Sequence, residues 1–214
     1  MRDFTKEFLN ILEKIDYSIS PSDQFSNWLI LTASSLYSWK NDEKVEEEFN
    51  EIRKKLTDEQ YEKYAQLFAL TVEALHEKEH DFLGKIFSIG KFSNDKKAQY
   101  FTPDCVSKVN AAIMIGKKRL PKNRVCTVID PCCGSGSMLI AAIAEMKEKN
   151  FNYQNNAFCH GIDVDARCAR MTFIQLSLLG VPAVITCGNS LSKEVFWERE
   201  TIGYYLSLMN FRLK

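Results

Sequence analysis

The chain of 214 residues holds five prolines, Pro21, Pro103, Pro121, Pro131 and Pro182, and no two are adjacent. Any element built on a Pro-Pro step is therefore excluded. No stretch approaches the roughly 18 consecutive apolar residues that span a bilayer, which excludes a membrane helix. The charged start, Met1-Arg2-Asp3-Phe4-Thr5-Lys6-Glu7, argues against a secretory signal. The seven cysteines are odd in number and contain no C-x-x-C pair. They read as reduced thiols of a cytoplasmic protein. Cys132 and Cys133 are neighbours, which makes both a strained disulfide and a poor zinc site. Net charge is zero, yet residues 1–97 carry 14 basic and 19 acidic side chains, and residues 98–214 carry 14 and 9. The basic excess is densest from Lys117 to Arg124. A nucleic acid or nucleotide could sit near it, and a solvated loop is an equal reading.

Enough apolar sequence is present, 45% against 26% charged, for a folded core without metals or disulfides. Residues 1–90 predict an α-helical N-terminal region. Phe4, Phe8, Ile11, Leu12 and Ile15 recur at helical spacing. Pro21 opens a second helix with Phe25, Trp28, Leu29, Thr32 and Leu36 on one stripe. Val45, Phe49 and Ile52 mark a third. Thr57-Asp58-Glu59-Gln60 is a capping-box pattern starting a fourth. His76-Glu77-Lys78-Glu79-His80 fits the zinc pattern H-E-x-x-H, but its charged interior and missing third histidine favour a solvated helix end. No metal site is expected.

From residue 91 to 214 the pattern becomes α/β. Val125–Ile129, Phe158–Ile162 and Ala183–Cys187 are short strand-like runs. Helical runs, Met138–Met146 and Asp165–Leu179, separate them, the second closed by Gly180. This alternation predicts a parallel sheet. Tyr204–Met209 is a candidate fourth strand.

Three motifs follow the strands in order. Asp130-Pro131-Cys132-Cys133-Gly134-Ser135-Gly136 is a glycine-rich turn into a helix, where a ligand can approach backbone closely. Leu139 stands where the third glycine of G-x-G-x-x-G belongs, which weakens a dinucleotide reading. The absence of Lys-Ser or Lys-Thr excludes a P-loop. Asp163, ending the second strand, can accept hydrogen bonds from both ribose hydroxyls. Asp165 reads better as a helix N-cap. Gly188-Asn189-Ser190-Leu191 follows the third strand, where Asn189 suits either an adenine edge or a turn.

These motifs, with Asp81-Phe82-Leu83-Gly84-Lys85-Ile86-Phe87 and Ala98-Gln99-Tyr100-Phe101-Thr102-Pro103, resemble the N-6 adenine-specific DNA methyltransferases of the type I restriction–modification M-subunit kind. The second block is similar to the family's G-Q-F-F/Y-T-P, with Ala98 for glycine. The Asp130 block, continued by Met138-Leu139-Ile140, is similar to its D-P-x-x-G-S-G-x-x-L-I. The resemblance runs from residue 81 to 191. It implies a Rossmann-like S-adenosylmethionine-dependent methyltransferase fold, here incomplete, with S-adenosylmethionine as cofactor and DNA as partner. By the same resemblance, Tyr100, Phe101, Thr102 and Pro103 would line the methionine end. Asp130, Cys132, Gly134 and Gly136 would surround the amino-acid portion, Asp163 would hold the ribose, and the amide oxygen of Asn189 would accept the adenine amino proton.

The family grips the flipped adenine with an Asn/Asp/Ser-Pro-Pro-aromatic motif, and this chain has no Pro-Pro. Its catalytic residues are thus unknown. The chain is expected to bind S-adenosylmethionine and to methylate little or no DNA by itself. A non-catalytic or degenerate subunit needing a partner chain is the alternative, and a different nucleotide-binding α/β protein is a third reading. The short sheet should leave an open edge, covered by the N-terminal helices, the tail, a partner subunit or a second copy.

Overall fold

The computed structural model describes residues 2–92, 102–116, 120 and 125–212, with backbone alone for 210–212. The chain divides into two compact units. One comprises Met1–Lys78 with Phe82–Tyr100, the other Glu79–Asp81 with Phe101–Lys214. Most of the basic run Lys117–Arg124, and Tyr100 and Phe101, lie outside the described residues.

The first unit is helical: α1 (Phe4–Leu12), α2 (Pro21–Tyr37), α3 (Glu43–Arg53), α4 (Asp58–Glu77) and α5 (Phe82–Ile89). Each of the first four starts where the sequence supplies a capping oxygen. Asp3, Ser20, Asp42 and Thr57 accept from amides of the first turn. Thr57 and Gln60 complete the reciprocal box, at 3.2 and 2.9 Å. The helices bury an aromatic cluster. Trp28 meets Phe8 edge-on at 5.1 Å and donates its indole N–H to the Tyr64 carbonyl at 3.1 Å. Phe25 stacks on Phe92 at 5.2 Å. Helix α4 ends at Glu77, and Lys78 is extended, so His76 and His80 are not stacked one helical turn apart. Among the described residues no group of three or more His, Cys, Asp or Glu side chains is placed to hold a metal ion.

The second unit carries α6 (Asp104–Ala111), which runs into a π-helical turn at Ala112–Gly116. It continues through β1 (Cys126–Asp130), α7 (Ser137–Glu148), the short α8 (Tyr153–Asn156) and β2 (Ala157–Asp163). After these come α9 (Ala166–Leu178), β3 (Ala183–Asn189), β4 (Glu194–Glu200) and α10 (Ile202–Arg212). The sheet order is β1-β2-β3-β4. The first three strands are parallel and β4 is antiparallel to β3. Helix α7 packs on β1, and α9 on β2 and β3. The core between them includes Leu139, Ile143, Phe173, Ile174 and Ile185, all fully buried. The unit is a mixed α/β, Rossmann-like arrangement.

The fourth strand departs from expectation. Tyr204–Met209 lies within α10, and the strand is Glu194–Glu200. Thr201 Oγ1 accepts from the Tyr204 amide at 3.3 Å, a helix-starting contact. Among the described residues of α10, Gly203 and Ser207, four residues apart, are the buried ones, so its apolar residues follow no strand alternation. Strand β4 was obscured by its charges, since it reads Glu-Val-Phe-Trp-Glu-Arg-Glu.

The sheet has two edges. The β4 edge carries Glu194, Glu198 and Glu200, and its pairing shifts register at Cys187/Gly188. Charges and bulges of this kind are what discourage further strand addition. Strand β1 pairs with β2 alone among the described residues, and Ile129 on it is 62% exposed. A cleft of about 370 Å³ opens beside β1, lined by Ile115, Val128, Ile129, Met138 and Leu139, with Asp130 the sole charged side chain among its described lining residues.

Candidate functional site

Parallel register sets the three motifs side by side. Asp130 pairs with Gly161, and Asp163 with Cys187, so the carboxyl ends of β1, β2 and β3 adjoin. Ligands of open α/β sheets bind at this end.

The loop from Asp130 to Gly136 is closed by its own hydrogen bonds. Asp130 Oδ1 accepts from the Cys132 amide at 3.1 Å. The Cys133 amide donates to the Ile162 carbonyl at 2.9 Å, tacking the loop onto β2. The Gly134 amide donates to Asp163 Oδ2 at 2.8 Å, and Gly136 to the Cys133 carbonyl at 2.8 Å. Gly134 and Gly136 have φ of 56° and 93°, a region that costs any side chain with a Cβ. At Gly136, a Cβ would also stand 3.1 Å from Thr172 Oγ1. Thr172 in turn donates to the Gly134 carbonyl at 2.8 Å.

Asp163 is half-buried, and its second oxygen accepts from the Asp165 amide at 2.9 Å. Burial pushes its carboxyl above the ordinary range, while the amides of Asp165 and Gly134 pull it partly back and the nearby Asp165 and Asp130 carboxylates push it further up. Asp165, 6% exposed, caps α9 through the Arg167 amide, as its sequence position suggested. Thr102 and Pro103 border the start of α7. Ser137 Oγ reaches the Thr102 carbonyl at 3.5 Å, and Pro103 is the N-cap of α6. Ser107 and Ser137 hydroxyls join these two helices at 2.6 Å. Cys132 is exposed at the loop tip. Burial drives the neighbouring Cys133 thiol upward in pKa, leaving it inert.

Asn189 ends β3, but its amide oxygen already serves a turn. It accepts from the Leu191 and Ser192 amides at 3.0 and 3.2 Å. With both lone pairs engaged, an adenine contact from this residue would come from its Nδ2.

Asp81 and Ser135 stood in the sequence motifs without an assigned role, and Thr172 and Gln175, which also shape the loop, were not singled out from the sequence. Ser135 Oγ donates to an oxygen of Asp81, and Gln175 Nε2 donates to the other at 2.9 Å and to the Ser135 carbonyl at 2.8 Å. A signal did exist. Thr172 and Gln175 are fully buried polar residues one turn apart on α9, set among the buried Met171, Phe173, Ile174 and Leu176.

A solved structure from Listeria monocytogenes, described as that of a class I S-adenosylmethionine-dependent methyltransferase, is 17% identical with a TM-score of 0.47. The alignment covers 84% of this chain and 51% of that one, so this chain spans about half of that protein's length. No curated protein matches. The sequence profile of the N-6 DNA methylases matches residues 77–212, well over half of the chain and all of the site just described. The chain belongs to the N-6 DNA methylase family.

Proposed function

We propose that this chain is the S-adenosylmethionine-binding module of a DNA methylase directed at adenine N6. The observation that carries this is how the loop's amides are used. Those of Cys132, Cys133, Gly134 and Gly136 are all satisfied within the protein, two of them by Asp130 and Asp163. A phosphate-binding loop leaves its amides turned outward to an anion. Here the loop is lined instead by two carboxylates, neither of which pairs with a described cationic side chain. Such a site favours a ligand that is cationic and rich in hydroxyls over a dinucleotide. S-adenosylmethionine, with its ammonium, sulfonium and ribose, fits.

Under this reading Asp163 holds the ribose hydroxyls, and Asn189 faces the adenine. Asp130, Cys132, Gly134 and Gly136 surround the amino-acid end. Tyr100, Phe101, Thr102 and Pro103 complete the methionine side. Once bound, the sulfonium supplies an electrophilic methyl group. The protein's part is to orient it and to set two carboxylates around it. The 214 residues contain no Pro-Pro grip for a flipped adenine, so under this reading the acceptor side is supplied from elsewhere. Among the described residues β1 pairs on one side only, and its other edge suits a partner subunit or a second copy. The seven free thiols suit a cytoplasmic setting.

Calorimetry should show binding of S-adenosylmethionine and S-adenosylhomocysteine and none of NAD. Binding of NAD alone would overturn the reading. Labelled methyl transfer to DNA by the purified chain should stay at background, and incorporation would show that an acceptor grip exists without Pro-Pro. Light scattering should report a species larger than the monomer of 24.6 kDa.

A further inference from the structure

The glycine-rich loop is held from two sides, and only one belongs to the strand ends. Asp163 takes the Gly134 amide from the end of β2. Asp81 takes the next residue, Ser135, from 54 positions earlier in the chain. Each oxygen of Asp81 has its own donor, Ser135 Oγ on one and Gln175 Nε2 on the other at 2.9 Å. The same Gln175 nitrogen returns to the Ser135 carbonyl at 2.8 Å, using its second hydrogen. The three residues thus form a closed hydrogen-bonded ring around Ser135. Ser135 and Gln175 are 1% and 0% exposed, so water offers these groups no ready replacement. Bonds to an ionised carboxylate are stronger than neutral ones, and a buried donor that loses its acceptor is costly.

We infer that Asp81 is a positioning residue of the cofactor loop. It acts through Ser135 and Gln175 to hold the backbone that Gly134 and Gly136 present at positive φ. Its part in ligand binding rests on the reading given above, whereas its hold on the loop stands without it.

The test uses the full chain with Asp81→Ala, Asp81→Asn and Ser135→Ala. Hydrogen exchange of the unliganded protein is read at the amides of Cys133–Gly136 and, as a control, at Val184–Cys187 of β3. Asp81→Ala should speed exchange in the loop about tenfold and leave β3 unchanged. It should also weaken S-adenosylmethionine binding about tenfold. Asparagine retains one acceptor and should restore most of both effects. In a Ser135→Ala background the Asp81→Ala effect should shrink, because the two share one bond. Unchanged loop exchange in Asp81→Ala would overturn the inference. So would equal acceleration in β3, since Asp81 would then support the whole unit rather than the loop. If the unaltered chain binds no S-adenosylmethionine, the functional reading fails, while exchange still decides the role of Asp81.

Discussion

Alanine at position 163 is expected to abolish measurable cofactor binding while leaving the protein folded. The carboxylate of Asp163 is the acceptor for two amides, Gly134 and Asp165. Under the proposed function it is also the group that holds the ribose. Losing two hydrogen bonds to a charged acceptor should weaken binding about 100-fold or more. Folding stability should fall by about 1–3 kcal/mol, because the two amides lose their partner while the cost of burying the charge is relieved. Asp163→Asn separates these effects. It retains one acceptor and no charge, so stability should largely recover while S-adenosylmethionine affinity does not.

The pH dependence follows from the raised carboxyl of Asp163. The folded protein holds this proton more tightly than the unfolded chain. The resulting stability is full below the unfolded-state value and is lost as pH rises through the folded-state value. Asp163→Asn has no such titration. The stability of the native protein relative to this variant should therefore decline as pH climbs through the carboxylate range, then level off towards neutrality. Urea denaturation across that range measures it, and a rise instead of a decline would mean that the amide hydrogen bonds outweigh burial. Ligand binding should show the opposite trend. A cationic cofactor favours the ionised carboxylate, so affinity should fall on acidification through the same window.

What the sequence revealed about the fold depended on how local each cause was. The Thr57–Gln60 box and the N-cap at Asp165 need only neighbours within one turn, and both are in place. Strands β1 to β3 announce themselves through β-branched or otherwise apolar runs, bounded by glycine, proline or a helix. Strand β4 does not, because its residues are chosen for an edge. Trp197 has the Arg170 and Arg199 guanidinium groups at 5.6 and 4.9 Å from its ring centre, and glutamates occupy three of the seven positions. The site was legible in the same degree. Asp130, the glycines and Asp163 could be placed because each follows its strand directly. The hold of Asp81 and Gln175 on Ser135 spans 54 and 40 residues of sequence, and only tertiary structure joins them.

Replacement of Gly188 by alanine should detach β4. Gly188 belongs to the Gly188–Leu191 motif, yet its lack of a side chain answers to the sheet rather than to a ligand. A Cβ there would stand 2.3 Å from the Glu194 carbonyl oxygen and 3.1 Å from the Val195 Cα. Both are backbone atoms, so no rotamer change relieves the clash. The register explains the crowding. Cys187 pairs with Trp197 and Gly188 with Val195, leaving Phe196 as the extra residue of a bulge that brings β4 across the end of β3. Forcing a methyl group into this crossing should cost about 1–3 kcal/mol, the range for overpacking, and the edge strand, paired only with β3 among the described residues, should yield before the parallel core does. The consequence can be read at Cys187. Burial keeps it 1% exposed with a thiol pushed up to about 11, so it should resist alkylation in the native protein. In Gly188→Ala, labelling mapped to Cys187 by mass should accelerate. Labelling at Cys159, buried in β2 with a thiol pushed up to about 12, should stay slow. Equal acceleration at both thiols would indicate global unfolding, and no acceleration at either would show that the bulge tolerates a side chain. Because Asn189 follows Gly188 immediately, loss of β4 should also release the turn that holds its amide oxygen, linking an edge strand to the third corner of the proposed cofactor site.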